Sequence, residues 1–205
     1  MPGYENISEF VLDAFREIGT IGAGNGATAL SQLMNRKIGM TVPAIRVLPF
    51  AQVPDVVGGP ERLVAGVFTT VKGQAPCNIL FMFPMASALV LVGNLTGSRY
   101  SENSQIDDIG RSALTEVVNI VTGAYLNSLA GFTNLDFIPS VPALAMDMAG
   151  AILNVVLAQI GMAGDHALLM ETVFTEIKEN VTGHFFLLPE AGSLERIMEA
   201  IGVKG

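Results

Sequence analysis

DAFREIGTIGAGNGATALSQLMNRKIGMTVPAI, residues 13–45, and SALTEVVNIVTGAYLNSLAGFTNLDFIPSVPAL, residues 112–144, are two versions of one pattern. At an offset of 99 residues they share Ala14/Ala113, Glu17/Glu116, Ile21/Ile120, Gly24/Gly123, Leu30/Leu129, Asn35/Asn134, Val42/Val141, Pro43/Pro142 and Ala44/Ala143, and Asp13 is matched by Ser112. Nine identities in 33 positions point to a duplicated unit. Farther along, Phe81, Pro84, Ala86, Leu89 and Gly97 match Phe186, Pro189, Ala191, Leu194 and Gly202 at an offset of 105, so the second half carries a short insertion. Two copies cannot cover the open ends of a solenoid, which needs at least three. One domain over residues 1–205 is expected, built from two tandem halves of about 7–99 and 106–204 that close on a shared core.

Each half shows the same order of elements. From about Ile7 to Asn35, Phe10, Val11, Phe15 and Ile18 recur at helical spacing against Glu9, Asp13 and Glu17, which predicts an amphipathic helix. Strands follow near 43–49, 63–72 and 77–83, and Pro84 opens a second helix, as proline tolerates a first helical turn. The second half predicts a helix from about Ile106 to Leu129, strands near 140–146, 166–176 and 181–188, and a helix from Pro189. Met148 to Ala163 reads as helix. Its counterpart, Ala51 to Glu61, holds Pro54, Gly58, Gly59 and Pro60 and reads as loop. The expected fold is α/β in the α+β sense: a pseudo-two-fold, six-stranded, largely antiparallel sheet with long helices packed on it.

Composition narrows the function. A formal charge of −8 argues against nucleic acid, whose binding relies on Lys and Arg releasing counterions. The amino terminus lacks the basic and apolar segments of a secretion signal, and a single cysteine, Cys77, cannot build a disulfide framework, so a cytoplasmic location is expected. The most apolar window, Ala143 to Gly164, is interrupted by Asp147, Asn154 and Gln159, whereas a membrane span needs about 20 predominantly apolar residues. No membrane insertion is expected.

The chemistry is sought on the first helix of each half. Three helical residues advance the chain by about 300°, so Glu116 and Asn119 share one face, with Ser112 one turn behind Glu116. A carboxylate can pair with a cation, and an amide can hold a water molecule through both a donor and an acceptor. On an arbitrary chain such a pair is a solvated helix face. Here the glutamate is kept in both copies while its neighbours Phe15/Leu114 and Arg16/Thr115 diverge, and a solvated position gives no reason for that.

Other motifs lead to blander readings. Gly22 to Ala27 fits the loose dinucleotide fingerprint G-x-G-x-x-G/A, but that motif needs a preceding strand and a later acidic residue, and neither is present. Close helix packing accounts for these glycines better. His166 and His184 fall in predicted strands without zinc-type spacing, Cys77 opens a strand whose pattern reads as buried, and the methionines read mostly as core filler, with some able to line an adaptable protein interface.

Ser112-x3-Glu116-x2-Asn119-x22-Pro142 resembles the signature of the CheC-type phosphatases of bacterial chemotaxis, and Asp13-x3-Glu17-x2-Thr20-x22-Pro43 repeats its spacing. The stretch IGAGNGATALSQLMNRKI resembles the first helix of that family, and Thr20 departs from it where the pattern has asparagine. The resemblance implies hydrolysis of the phospho-aspartate on the response regulator CheY and binding to the receptor deamidase CheD. It implies that Glu116 pairs with the regulator's active-site lysine and that Asn119 orients the attacking water, with Glu17 and Thr20 forming a weaker second site. Asp13, Ser112, Pro43 and Pro142 complete the motif. No metal or cofactor of its own is expected, with Mg²⁺ carried by the regulator. The alternative is a non-catalytic binding module of the flagellar switch type, or an adaptor whose main role is to regulate CheD.

Overall fold

The computed structural model describes residues 9–101, 104–160, 166–175 and 181–202. Helix α1 (Glu9–Met34) leads into strand β1 (Gly39–Pro49), a 3-10 turn at Phe50–Gln52 and the short helix α2 (Val53–Val56). Strands β2 (Leu63–Gly73) and β3 (Cys77–Pro84) and helix α3 (Met85–Thr96) complete the first half. Helix α4 (Asp108–Thr133), strands β4 (Phe137–Pro139) and β5 (Ala143–Met148), helix α5 (Ala149–Ile160), strands β6 (His166–Thr175) and β7 (Val181–Pro189) and helix α6 (Ser193–Ala200) follow.

The strands form one antiparallel sheet in the order β1-β6-β7-β3-β2, with β4 and β5 lying end to end along the outer side of β2. Exchanging the halves leaves this order unchanged, and Phe81 and Phe185 face each other across the central β3–β7 pair. The register fixes the correspondence between strands. β1 maps onto β4 and β5 at 99 residues, β2 onto β6 at 103 and β3 onto β7 at 104. Phe81 and Phe186, matched at 105 in the sequence, are therefore not counterparts. Phe81 packs under α1 and α4, whereas Phe186 packs on the other face with α5, because a one-residue slip in a strand reverses every side chain. The offset of 105 returns in the helices that follow: Leu89 and Leu194 are both core residues, and Gly97 and Gly202 both take positive φ past a helix end.

Three further elements differ from the sequence reading. The strand expected near 140–146 appears as two, β4 and β5, giving seven strands among the described residues. Val42 and Pro43 lie opposite Thr172 alone, and Ser140, Val141 and Pro142 lie opposite only Thr69 and Thr70, so both retained Val-Pro pairs sit at a one-residue bulge. At the second bulge the ladder opens, and Ser140 patches it: its N–H donates to the Thr70 carbonyl at 2.8 Å and its hydroxyl accepts from the Thr70 N–H at 3.1 Å. The stretch read as loop contains α2, whose first turn holds Pro54. The last helix starts at Ser193, not Pro189. Pro189 stays in the ladder opposite Cys77, and Gly192 at φ 77° makes the turn. Part of the predicted Met148–Ala163 helix, 161–163, lies outside the described residues.

The main core lies between the sheet and α1, α3 and α4, and a smaller one lies between the opposite face and α5. Phe81 and Phe83 stack at 4.7 Å, and Phe185 meets Phe81 edge-on at 6.0 Å. Gly183 leaves room for that pair, since a Cβ there would sit 2.6 Å from the Phe83 ring.

Over this core α1 and α4 pack against each other. Phe15 and Ile18 meet Leu126 and Leu129 around one small internal space, while Gly22 meets Tyr125 and Gly26 meets Ala124. Rising numbers on one helix thus meet falling numbers on the other, and the pair runs antiparallel. Tyr125 is the pivot. Its ring passes beneath Gly22, packs 4.7 Å from Phe185, and its hydroxyl lies 3.0 Å from that of Thr172 on β6. Both helices end on the retained asparagines, Asn35 at φ 47° and Asn134 at φ 54°, a left-handed C-terminal position that asparagine tolerates.

Gly22→Ala tests the crossing. Its Cβ would overlap the Tyr125 ring and lie 3.1 Å from the Tyr125 Cα, which cannot rotate away. Overpacking of this kind costs about 1–3 kcal/mol, more than alanine gains in helix propensity. The expected result is a lower urea midpoint at unchanged slope; an unchanged or higher midpoint contradicts the packing.

Candidate functional site

Helix α4 buries Leu114, Val117, Val118, Val121 and Tyr125. That choice of face leaves Ser112, Glu116 and Asn119 exposed on the opposite side. Asp107 caps the helix, its carboxylate accepting from the Gly110 N–H at 2.8 Å and from the Tyr100 hydroxyl at 3.0 Å. Within the described residues no hydrogen bond or ion pair engages Glu116 or Asn119. The helix therefore presents a carboxylate and an amide to solvent with their bonding capacity unspent, and Pro142 is half-buried at the bulge that follows.

Helix α1 buries Val11, Phe15, Ile18, Gly22, Gly26 and Leu30, which leaves Asp13, Glu17 and Thr20 exposed at the matching positions. This copy is spent differently. Asp13 is ion-paired with Arg16, whose counterpart in α4 is Thr115. The Thr20 hydroxyl donates to the Arg16 carbonyl at 2.8 Å, which uses its only proton within the helix. Gly19, in place of Val118, brings β1 close: a Cβ there would sit 3.6 Å from Val42, the residue before Pro43. Both sets of motif residues are thus gathered on solvent faces, but only the α4 copy offers an amide.

The sequence profile of the CheC-like family matches residues 10–46 and 109–146, the two helix-to-bulge segments just described. The chain is 35% identical over 206 residues to the CheY-P phosphatase CheC of Bacillus subtilis, covering 97% of each. This chain belongs to the CheC-like family. Another relative of this CheC-like chain is the flagellar motor switch phosphatase FliY of B. subtilis, 30% identical over 63% of the chain and 34% of that protein. Among solved structures, Thermotoga maritima FliY superposes with a TM-score of 0.76 at 20% identity, over 97% of this chain and 99% of that one. FliM from Helicobacter pylori, solved with SpeE, superposes at 0.72 and 15% identity, over 96% and 97%. At those identities the likeness is one of fold.

The remaining sequence candidates resolve into structure. The Gly22–Ala27 run lies inside α1 rather than at a helix start, so it forms no phosphate cradle. Packing explains Gly22 and Gly26, but not Gly24, where a Cβ would meet no heavy atom of the described residues within 4 Å. Cys77 is buried, and burial followed by the Glu190 charge pushes its thiol up to about 12, so it is no nucleophile. Among the described residues no group of three or more His, Cys, Asp or Glu side chains could hold a metal ion, and no helix is long and apolar enough to cross a membrane.

His184 is buried in β7 opposite Glu171, with its Nδ1 unpartnered among the described residues. Burial first, and the Arg46 charge second, lower its pKa to about 4 from 6.5. The unfolded chain therefore binds a proton between pH 6.5 and 4 that the folded chain does not, so stability is full above that window and falls as pH drops through it. By pH 5 the loss is about 2 kcal/mol. His184→Gln should remove that part of the fall between pH 7 and pH 5 in urea titrations; a variant with the same fall as the native chain contradicts it.

Proposed function

We propose that this chain hydrolyses the phospho-aspartate of the chemotaxis response regulator CheY, with Glu116 and Asn119 as the working pair. The observation that carries the reading is the exposed, unengaged carboxylate and amide three residues apart on α4. The 35% identity over nearly the whole length to a protein named CheY-P phosphatase supports it. Docking α4 against the phosphorylated regulator would bring the Glu116 carboxylate to the regulator's active-site lysine. The Asn119 oxygen would accept from a water molecule in line with the phosphorus while its nitrogen donates to that water or to a phosphoryl oxygen. The water oxygen bonds to phosphorus, the bond to the aspartyl oxygen breaks, and the carboxylate leaves with the electron pair. The water's proton passes to phosphate or solvent. Phosphoryl transfer of this type needs positioning and charge stabilisation more than covalent help, which is what two side chains held at helical spacing on one exposed face supply. Mg²⁺ belongs to the regulator in this reading, and the reaction is cytoplasmic.

The α1 copy is the weaker site. Thr20 has a short hydroxyl already committed to the Arg16 carbonyl, so it cannot both donate to and accept from a water as Asn119 can. Family membership carries a second partner, the deamidase CheD, and we propose it on that ground. The fold shared with FliM favours a non-catalytic switch-type module as the competing reading.

Release of inorganic phosphate from phosphorylated regulator, with and without CheD, separates these readings. Asn119→Ala should lower the rate about 10²- to 10³-fold, the size expected for one positioned hydrogen-bonding side chain. Thr20→Ala should have the smaller effect, and Thr20→Asn placed in the Asn119→Ala background should recover activity. A larger loss from Thr20→Ala reverses the ranking of the sites, and no release by the native chain leaves the switch-type reading standing.

A further inference from the structure

Gly24 and Gly123 are matched between the halves, and nothing among the described residues requires glycine at either. A Cβ built on either one meets no heavy atom of the described residues within 4 Å, and neither takes a positive φ. Both stand mid-helix, where glycine lowers the folded population about two- to fivefold relative to alanine. Gly22 and Gly26 bear the same cost and return it as close packing against Tyr125, Met40 and Ala124. Gly24 and Gly123 return nothing to the fold.

Their placement supplies a reason from outside the chain. Gly123 follows Asn119 by four residues and Glu116 by seven, one and two helical turns on, and so continues the face that carries the pair. Gly24 stands in the same relation to Thr20 and Glu17. We propose that Gly123 is a positioning residue for the phosphatase reaction, and that Gly24 serves the α1 copy in the same way. Bare backbone at this turn lets the surface of the phosphorylated regulator settle onto α4, so that Asn119 reaches the water at phosphorus. A methyl group there props the partner away, and a displacement of about 1 Å can cost about 10²-fold in rate. The proposal rests on the reading of Glu116 and Asn119 given above.

The discriminating signature is a protein that becomes more stable and less active at once, which a purely structural glycine does not produce. Gly123→Ala should raise the urea midpoint and lower kcat/KM for phosphorylated regulator at least tenfold, mainly through kcat. Gly131→Ala is the control: it lies on the same helix, also with nothing within 4 Å among the described residues, but about four turns beyond Glu116 and about 120° round the helix from Asn119. It should raise the midpoint and leave activity within twofold. Activity of Gly123→Ala within twofold of an active native protein overturns this proposal alone, as does a lower midpoint, which would show that the fold needs the glycine. A native protein that releases no phosphate overturns the reading of the site and this proposal with it.

Discussion

The fit of the Tyr125 ring beneath Gly22 is the contact on which the candidate site depends. It sets how closely α1 and α4 approach, and the Tyr125 hydroxyl ties that crossing to β6 through Thr172. Once the crossing is fixed, the rotation of each helix about its axis is fixed too, because Val117, Val121, Phe15 and Ile18 are held in the core. Glu116, Asn119, Glu17 and Thr20 are exposed as a consequence. Their display to solvent follows from what their neighbours bury.

The two halves share a topology and differ in their side chains. The counterpart of Tyr125 is Gly26, so Thr69, the counterpart of Thr172, is left with a buried hydroxyl that has no partner among the described residues. α1 gives up side chains at Gly19, Gly22 and Gly26, and α4 fills the space with bulk. The chemistry divides in the same direction: α4 carries the free amide, while α1 carries a hydroxyl bonded to its own helix and a carboxylate paired with Arg16. The helix that adapts to the packing is also the one we propose to carry the weaker site.

Much of this was legible in the sequence because helical and strand periodicity report directly which face is buried. The long helices, the strand pairs and the exposed Glu116–Asn119 face all follow from that pattern. The failures have physical causes. Proline at 142 signals an irregularity but not whether the ladder opens, and the ladder closes over Pro43 and opens at Pro142. Phe81 and Phe186 match as letters, but hydrogen-bond register decides faces, and register is invisible to an alignment of letters. The glycines of the Gly22–Ala27 run read as one packing motif, yet Gly22 and Gly26 are packed and Gly24 is bare, a distinction that depends on what packs against the helix. The ion pair that sets the α1 copy apart, Asp13 with Arg16, was within reach as an i,i+3 charge pair.

The most direct test of the account is a crystal structure of this protein bound to its response regulator carrying beryllofluoride on the phosphorylated aspartate. The account predicts α4 lying across the regulator's site, Glu116 at hydrogen-bond distance from its lysine, and the Asn119 amide within hydrogen-bond reach of the position in line with the beryllium. A complex in which the regulator docks on α5, or in which Asn119 points away from that position, would contradict it.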